Sequence, residues 1–346
     1  MLFVFMLGRA GTQYVLLGVG ADAWIAQLIG LFFAVPLLLI LARLVRLLPG
    51  KDLFQMLTHS FGRVMAYFIS LLYFVYFLAL AATARTQVVF VQAASLPNTP
   101  LLVLLLLFFG AAVYLARSGV LPVGKWSVLA ACVLGGIGVL LTALAVSNLR
   151  LENILPMGTN SGTALMHGGH RFLVSPLGEA VVLLAFAGNL KREANPYKLF
   201  LFGALAVTLF LILSFLRDLS ILGMAGMSRF RFAPFHAAGA IAVGNLGNRV
   251  DILVTISALL SGFTMAAICL LAAARALRCV IPQWATHRLV IPAAVLALGI
   301  VFVSFSGFVE RLPWFDVYLR YASAVQFVIP AVMWLVAELK GFRRGV

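Results

Sequence analysis

The stretch SPLGEAVVLLAF, Ser175 to Phe186, carries one acid, Glu179, at the start of an unbroken apolar run. A charged side chain at the centre of a bilayer costs about 2.5–3.5 kcal/mol on insertion scales, so a position without a task does not usually keep one. Three chemical states would account for it. Glu179 is protonated, paired with a basic group such as Arg9, or in contact with a substrate amine. A structural alternative places it beside the outer headgroups, because only a few residues separate it from the polar stretch before it. Its neighbours Pro176 and Gly178 interrupt the run, and Gly188 follows. A second interruption lies near the N-terminus. There FMLGRAGTQYVLLG gathers Gly8, Gly11, Thr12 and Gln13 around Arg9. Where glycine or proline opens a helix inside a membrane, the freed backbone groups must face protein or a cavity. Freed amides attract a carboxylate, and freed carbonyls hold an ammonium group or a cation. The chemistry these residue types support is recognition of a small charged molecule. The same glycines also suit close helix packing.

Other polar groups extend the candidate pocket. Tyr73 and Tyr76 lie in one apolar run, and Ser257, Ser261 and Thr264 in another. Each has a plainer reading. Tyrosines pack or sit at interfaces, and hydroxyls at this spacing bond back to their own helix. Several apparent motifs fail on inspection. GVLPVGK, Gly119 to Lys125, begins like a phosphate-binding loop, but Trp126 stands where Ser or Thr is required and no strand precedes it. His167 and His170 share a glycine-rich loop without nearby acids or cysteines, which argues against a metal site. Cys132, Cys269 and Cys279 show no paired spacing and read as packing residues. No nucleophile–base pair occurs, so no enzyme, cofactor or metal is expected.

These groups need elements to hold them, and composition says which. Of 346 residues, 64% are hydrophobic and 10% charged, against about 25% charged in a soluble domain. The chain reads as one polytopic, all-α membrane domain in the lipid bilayer. Ten spans are expected, at roughly 1–19, 23–44, 65–92, 99–116, 123–147, 174–190, 197–222, 251–276, 288–307 and 319–338. The net charge of +15 is a topology signal, not a nucleic-acid footprint, because the basic residues sit between apolar runs. Most of them fall in alternate loops, which puts both termini in the cytoplasm. The inner loop PGKDLFQMLTHSFG and the outer loop 223–250 are expected to form short amphipathic helices. The opening MLFVFMLG has no basic region before it and reads as part of a span rather than a cleavable leader. Two halves of five spans, 1–147 and 174–338, would run in opposite directions and form an inverted repeat with helices one and six discontinuous.

The order of motifs resembles a family. GADAWIAQLIG, LLPGKDLFQML, ARTQVVFVQAASLPNTP, LENILPMG, SPLGEAVVLL and GNRVDILVTIS follow one another as in the spore germination permeases. These are the B-type integral membrane subunits of nutrient germinant receptors, within the amino acid–polyamine–organocation transporter superfamily. GTQYVLLG departs from the family's glycine-rich run in span one, and Asn248–Arg249 replaces its Glu–Arg pair. The resemblance implies a nutrient sensor in the spore inner membrane, working with an A-type membrane subunit and a C-type lipoprotein. Its ligand would be a small germinant such as an amino acid, held between spans one, three, six and eight. Gly8, Gly11, Thr12, Gln13, Tyr73, Tyr76, Gly178, Glu179, Ser257, Ser261 and Thr264 are the candidate contacts. An ion-coupled amino acid transporter is the alternative.

Overall fold

The computed structural model describes residues 1–9, 17–155, 157–191, 193–241, 250–304 and 318–342. Every regular element among them is helical. That follows from the apolar runs, because without water a helix satisfies each backbone N–H and C=O within its own segment. In chain order the helices are α1 (Leu2–Arg9), α2 (Ala23–Leu47), α3 (Leu53–Phe61), α4 (Arg63–Ala82), α5 (Arg85–Ser95), α6 (Leu101–Arg117) and α7 (Val120–Ala145). Then come α8 (Gly162–Phe172), α9 (Pro196–Arg229), α10 (Ala233–Gly239), α11 (Asp251–Val280), α12 (Thr286–Ser304) and α13 (Ile329–Phe342).

Among the described residues, 8 helical runs are long and apolar enough to cross a membrane. They are Gly18–Leu47, Arg63–Ser95, Val120–Asn148, Gly162–Asn189, Pro196–Arg229, Asp251–Val280, Thr286–Val303 and Tyr318–Lys340. α6 is a shorter apolar helix on the expected span 99–116. Of the expected first span, the described part is α1 and the residues from Leu17 onward. Phe32, Phe68 and Val303 present large apolar side chains outward, at 72%, 69% and 86% exposure. In water such a surface would be an aggregation patch; in a bilayer it is the lipid-facing wall. The chain is an integral membrane protein.

α11 is the central post. It packs against α1, α4, α6, α7 and α12. Towards its C-terminal end it carries an alanine-rich buried stretch, Met265 to Ala274. Small residues let backbones approach closely, which replaces the hydrophobic drive that lipid does not supply. α1 uses the same device. A Cβ on Gly8 would stand 2.7 Å from the Met265 Cβ and 2.8 Å from the Ser261 carbonyl oxygen. Gly8→Ala is therefore expected to lower stability by about 1–3 kcal/mol, the usual cost of overpacking. Gly110→Ala on α6, where nothing lies within 4 Å, should leave the melting temperature unchanged. Equal melting temperatures for the two variants would contradict this packing.

Polar clasps close both ends of the bundle. At one end α3 begins with a capping box, in which the Asp52 carboxylate accepts from the Phe54 and Gln55 amides and the Gln55 side chain accepts from the Asp52 N–H. This is the amphipathic helix expected for that loop. Beside it Arg43 pairs with Glu338 at 2.6 Å, and Lys340 Nζ donates to the His59 and Ser60 carbonyls. Arg275 reaches the Ala185 carbonyl and the Asn189 side chain. Basic residues from three of the segments assigned to the cytoplasmic side thus share one end. At the other end the buried Asp22 carboxylate accepts from the Gly158 amide at 2.6 Å, the Asn160 amide at 3.2 Å and the Asn160 side-chain amide at 2.8 Å. The Asn160 side chain also donates to the Val19 carbonyl. These bonds tie the start of α2 to the loop that leads into α8. α10 supplies a short helix in the expected outer loop, of which residues 242–249, with Asn248 and Arg249, lie outside the described residues.

Candidate functional site

The helix that begins as α8 does not run straight. It widens into a π turn over Leu173–Leu177, where Ser175 takes extended dihedrals (φ −140°, ψ 116°) and the Ser175–Pro176 peptide is cis. It continues as a tightly wound segment, Gly178–Asn189. Proline has no N–H to give, and an extended residue cannot continue the ladder, so the backbone opens here. Ser175 and Glu179 project from the opening into the bundle, 6% and 0% exposed.

Arg9, the last residue of α1, meets them. Its Nε stands 2.6 Å from Glu179 Oε2, a charge contact rather than an aligned hydrogen bond. Its Nη2 donates to Glu179 Oε1 at 2.9 Å and lies 3.4 Å from Ser175 Oγ. Its Nη1 donates to Thr83 Oγ1 at the end of α4. Tyr318 completes the set. Its hydroxyl donates to Glu179 Oε1 at 2.6 Å, and its ring lies 5.9 Å from the guanidinium carbon. Of the states open to Glu179, the structure shows the one paired with Arg9. Two charges that would each be costly alone form a nearly neutral, multiply hydrogen-bonded unit.

A second chain of contacts leads away from it. A Cβ on Gly178 would fall 2.3 Å from Gln326 Oε1, so glycine is what lets the Gln326 amide approach the break. The Gln326 side chain donates to the Tyr76 hydroxyl at 2.7 Å. The Tyr73 hydroxyl donates at 3.0 Å to the Val325 carbonyl, within the π turn Ala324–Val328. Tyr73, Tyr76, Gly178 and Glu179 are thus brought together, with Gly8 one residue before Arg9. Gly11, Thr12 and Gln13 lie outside the described residues.

The α11 hydroxyls sit elsewhere. Ser257 and Ser261 donate back to the Leu253 and Ser257 carbonyls. Thr264 donates to the Leu260 carbonyl and accepts from Trp126 Nε1 at 2.9 Å. Ser257 and Ser261 line a different cavity, of about 210 Å³. The polar network therefore joins spans one, three, six and ten, where the sequence pointed to span eight. Thr83, Ser175, Tyr318 and Gln326 were not singled out from the sequence. Gln326 carried a usable signal, a lone amide deep in an apolar run. Asp218 carried the same signal as Glu179 and was passed over. Among the described residues no three His, Cys, Asp or Glu side chains gather to hold a metal.

An apolar-walled bundle with a broken helix around a buried ion pair defines a transporter-fold membrane protein. The solved structures agree. The chain aligns with the nucleobase–cation symporter Mhp1 in a closed conformation with bromovinylhydantoin bound, at a TM-score of 0.71 and 17% identity, covering 96% of this chain and 76% of that one. Against the inward-facing conformation of Mhp1 the TM-score is 0.51, with 19% identity, covering 96% and 75%. Residues 1–307 match the spore germination protein family, and the chain belongs to it. It is 22% identical over 335 residues to spore germination protein KB of Bacillus subtilis (strain 168), covering 94% of this chain and 89% of that protein. It is 23% identical over 234 residues to the putative spore germination protein YfkT of the same organism, covering 67% and 64%.

Proposed function

We propose that the chain is the small-molecule-sensing membrane subunit of a spore germinant receptor. The observation that carries this reading is the buried Arg9–Glu179 pair, which bridges the end of α1, the break in the sixth span and Tyr318. An amino acid zwitterion has the complementary charges. Its carboxylate would meet Arg9 and its ammonium Glu179, so the ligand would exchange one pairing for another without stranding a charge. A ligand shifts a two-state equilibrium only by its differential affinity for the two states, and the opened pair supplies that difference. Gly8, Gly11, Thr12, Gln13, Gly178 and Glu179 would form the polar floor, with Tyr73 and Tyr76 beside it. Ser257, Ser261 and Thr264 would add hydroxyls from α11.

The same reading assigns an A-type membrane subunit and a C-type lipoprotein as partners, the spore inner membrane as location and both termini to the cytoplasm. It takes the two halves, 1–147 and 174–338, as an inverted repeat of five spans each within one domain. Family membership supports the role in germination. The alternative, ion-coupled amino acid transport with Glu179 carrying a proton, draws on the symporter fold.

The test is a thermal-shift panel of amino acids on the purified chain in nanodiscs, with Glu179→Gln alongside. One amino acid should raise the melting temperature of the parent and leave a folded Glu179→Gln variant unmoved. An equal shift in the variant would remove the carboxylate from the ligand site. Uptake by the chain alone in proteoliposomes, driven by an ion gradient, would favour transport over sensing.

A further inference from the structure

The cavity of about 210 Å³ lies among α1, α5, α7, α9, α10 and α11, and neither Arg9 nor Glu179 lines it. Its walls are largely apolar and aromatic, including Phe90, Leu134, Ile137 and Phe210, and Phe232 and Phe235 cap it by packing on the Phe90 ring at 4.8 and 5.7 Å. Beside hydroxyls such as Ser257 and Ser261, which bond back to their own helix, its buried polar groups include Gln87, Arg217 and Asp218. Arg217 donates to a single oxygen, Asp218 Oδ1, through Nε at 2.9 Å and Nη2 at 2.7 Å. Both side chains are buried, 7% and 1% exposed. Two buried acceptors in this wall have no hydrogen-bond partner among the described residues, Asp218 Oδ2 and Gln87 Oε1. A buried acceptor left without a donor is costly, and two beside one cavity point to a donor that enters it.

The chemistry narrows what enters. The Arg217–Asp218 pair is already neutral, and Arg231 stands exposed at the rim. A charged ligand would bring an uncompensated ion into an apolar chamber, which is disfavoured. A ligand that offers N–H donors to the two oxygens and an acceptor to Arg217 Nη1, which these two bonds do not use, matches this wall. A primary carboxamide does both with no net charge. The volume lies below the range of about 300–1,000 Å³ usual for drug-sized ligands, so the molecule is small. We infer that this cavity is a second ligand site, taking a small uncharged carboxamide with an apolar or aromatic body. Occupancy would be felt at the first site. The Gln87 side-chain amide donates to the Gly8 carbonyl, one residue from Arg9, so a ligand that engages Gln87 acts on the end of α1.

Benzamide is the probe, titrated calorimetrically into the full chain in nanodiscs with empty nanodiscs as the blank. Benzoate and benzylammonium serve as charged analogues of the same size. Saturable benzamide binding is expected, with both charged analogues at least tenfold weaker. Ala258→Phe, which fills the cavity, and the double variant Arg217→Met/Asp218→Leu, which replaces the pair by apolar side chains of similar volume, should each abolish it. Glu179→Gln should bind benzamide as the parent does, which separates this site from the amino acid site. The proposal is overturned by no saturable benzamide binding to the parent, by charged analogues that bind equally well, or by benzamide binding that survives both cavity variants.

Discussion

Arg9→Met is expected to destabilise the protein by about 3–5 kcal/mol, the cost of removing one partner from a buried ion pair. Glu179 is 0% exposed and its second oxygen has the Arg9 Nε as its charge contact. Without Arg9 the carboxylate must take up a proton or draw water into the bundle. The loss also frees Thr83 and Ser175, which the guanidinium holds from α4 and from the helix break. The double variant Arg9→Met/Glu179→Leu should recover most of the loss, because apolar groups of similar volume often replace a buried pair at little net cost. The double variant should nonetheless fail to respond to any amino acid. Unfolding midpoints in a detergent titration measure the first claim and thermal shifts the second. A single variant as stable as the parent, or a double variant no better than the single, would remove the pair from its central place.

The second large effect is at the far end of the bundle. Asp22→Ala removes a buried carboxylate that accepts from Gly158 and Asn160 backbone amides and from the Asn160 side chain. Hydrogen bonds to a charged group contribute about 1.5–3 kcal/mol each. Some of the freed donors will reach water, so a net loss of at least about 3 kcal/mol is expected. The consequence is local before it is global, because this loop feeds directly into α8 and the break beyond it. Limited proteolysis should cut the variant between residues 157 and 161 well before the parent. Equal cleavage rates would show that the clamp does not hold the loop. Asp22 lies in the GADAWIAQLIG segment, so this test also gives one family motif a mechanical task.

Much of the candidate site was legible because hydrocarbon penalises charge. Glu179 and Arg9 stood out as charges in apolar runs, and their pairing was among the states open to them. The glycines beside them were legible for the same reason, since an interrupted helix must expose its backbone to something other than lipid. Tyr73 and Tyr76 were singled out, but their partners, the Val325 carbonyl and the Gln326 side chain, come from 252 and 250 residues along the chain, and no local pattern announces such contacts. The α11 hydroxyls misled. Spacing put Ser257, Ser261 and Thr264 on one side of a helix, and only packing shows that Ser257 and Ser261 line another cavity while Thr264 meets the Trp126 indole.

The sequence by itself determined the solvent, the secondary structure and the family. Apolar runs of membrane length exclude a soluble domain, favour helices and leave most of the charged residues between them, and all of this follows from the local free energy of transfer. Only the tertiary structure decided that Glu179 is paired, that the network runs through Tyr318 and Gln326 rather than the α11 hydroxyls, and that Asp218 and Gln87 keep oxygens without a partner among the described residues beside a cavity. The physical reason is directional. Burial depends on composition over a window, which a sequence displays, whereas a hydrogen bond depends on distances of about 3 Å between atoms from distant segments, which only packing sets.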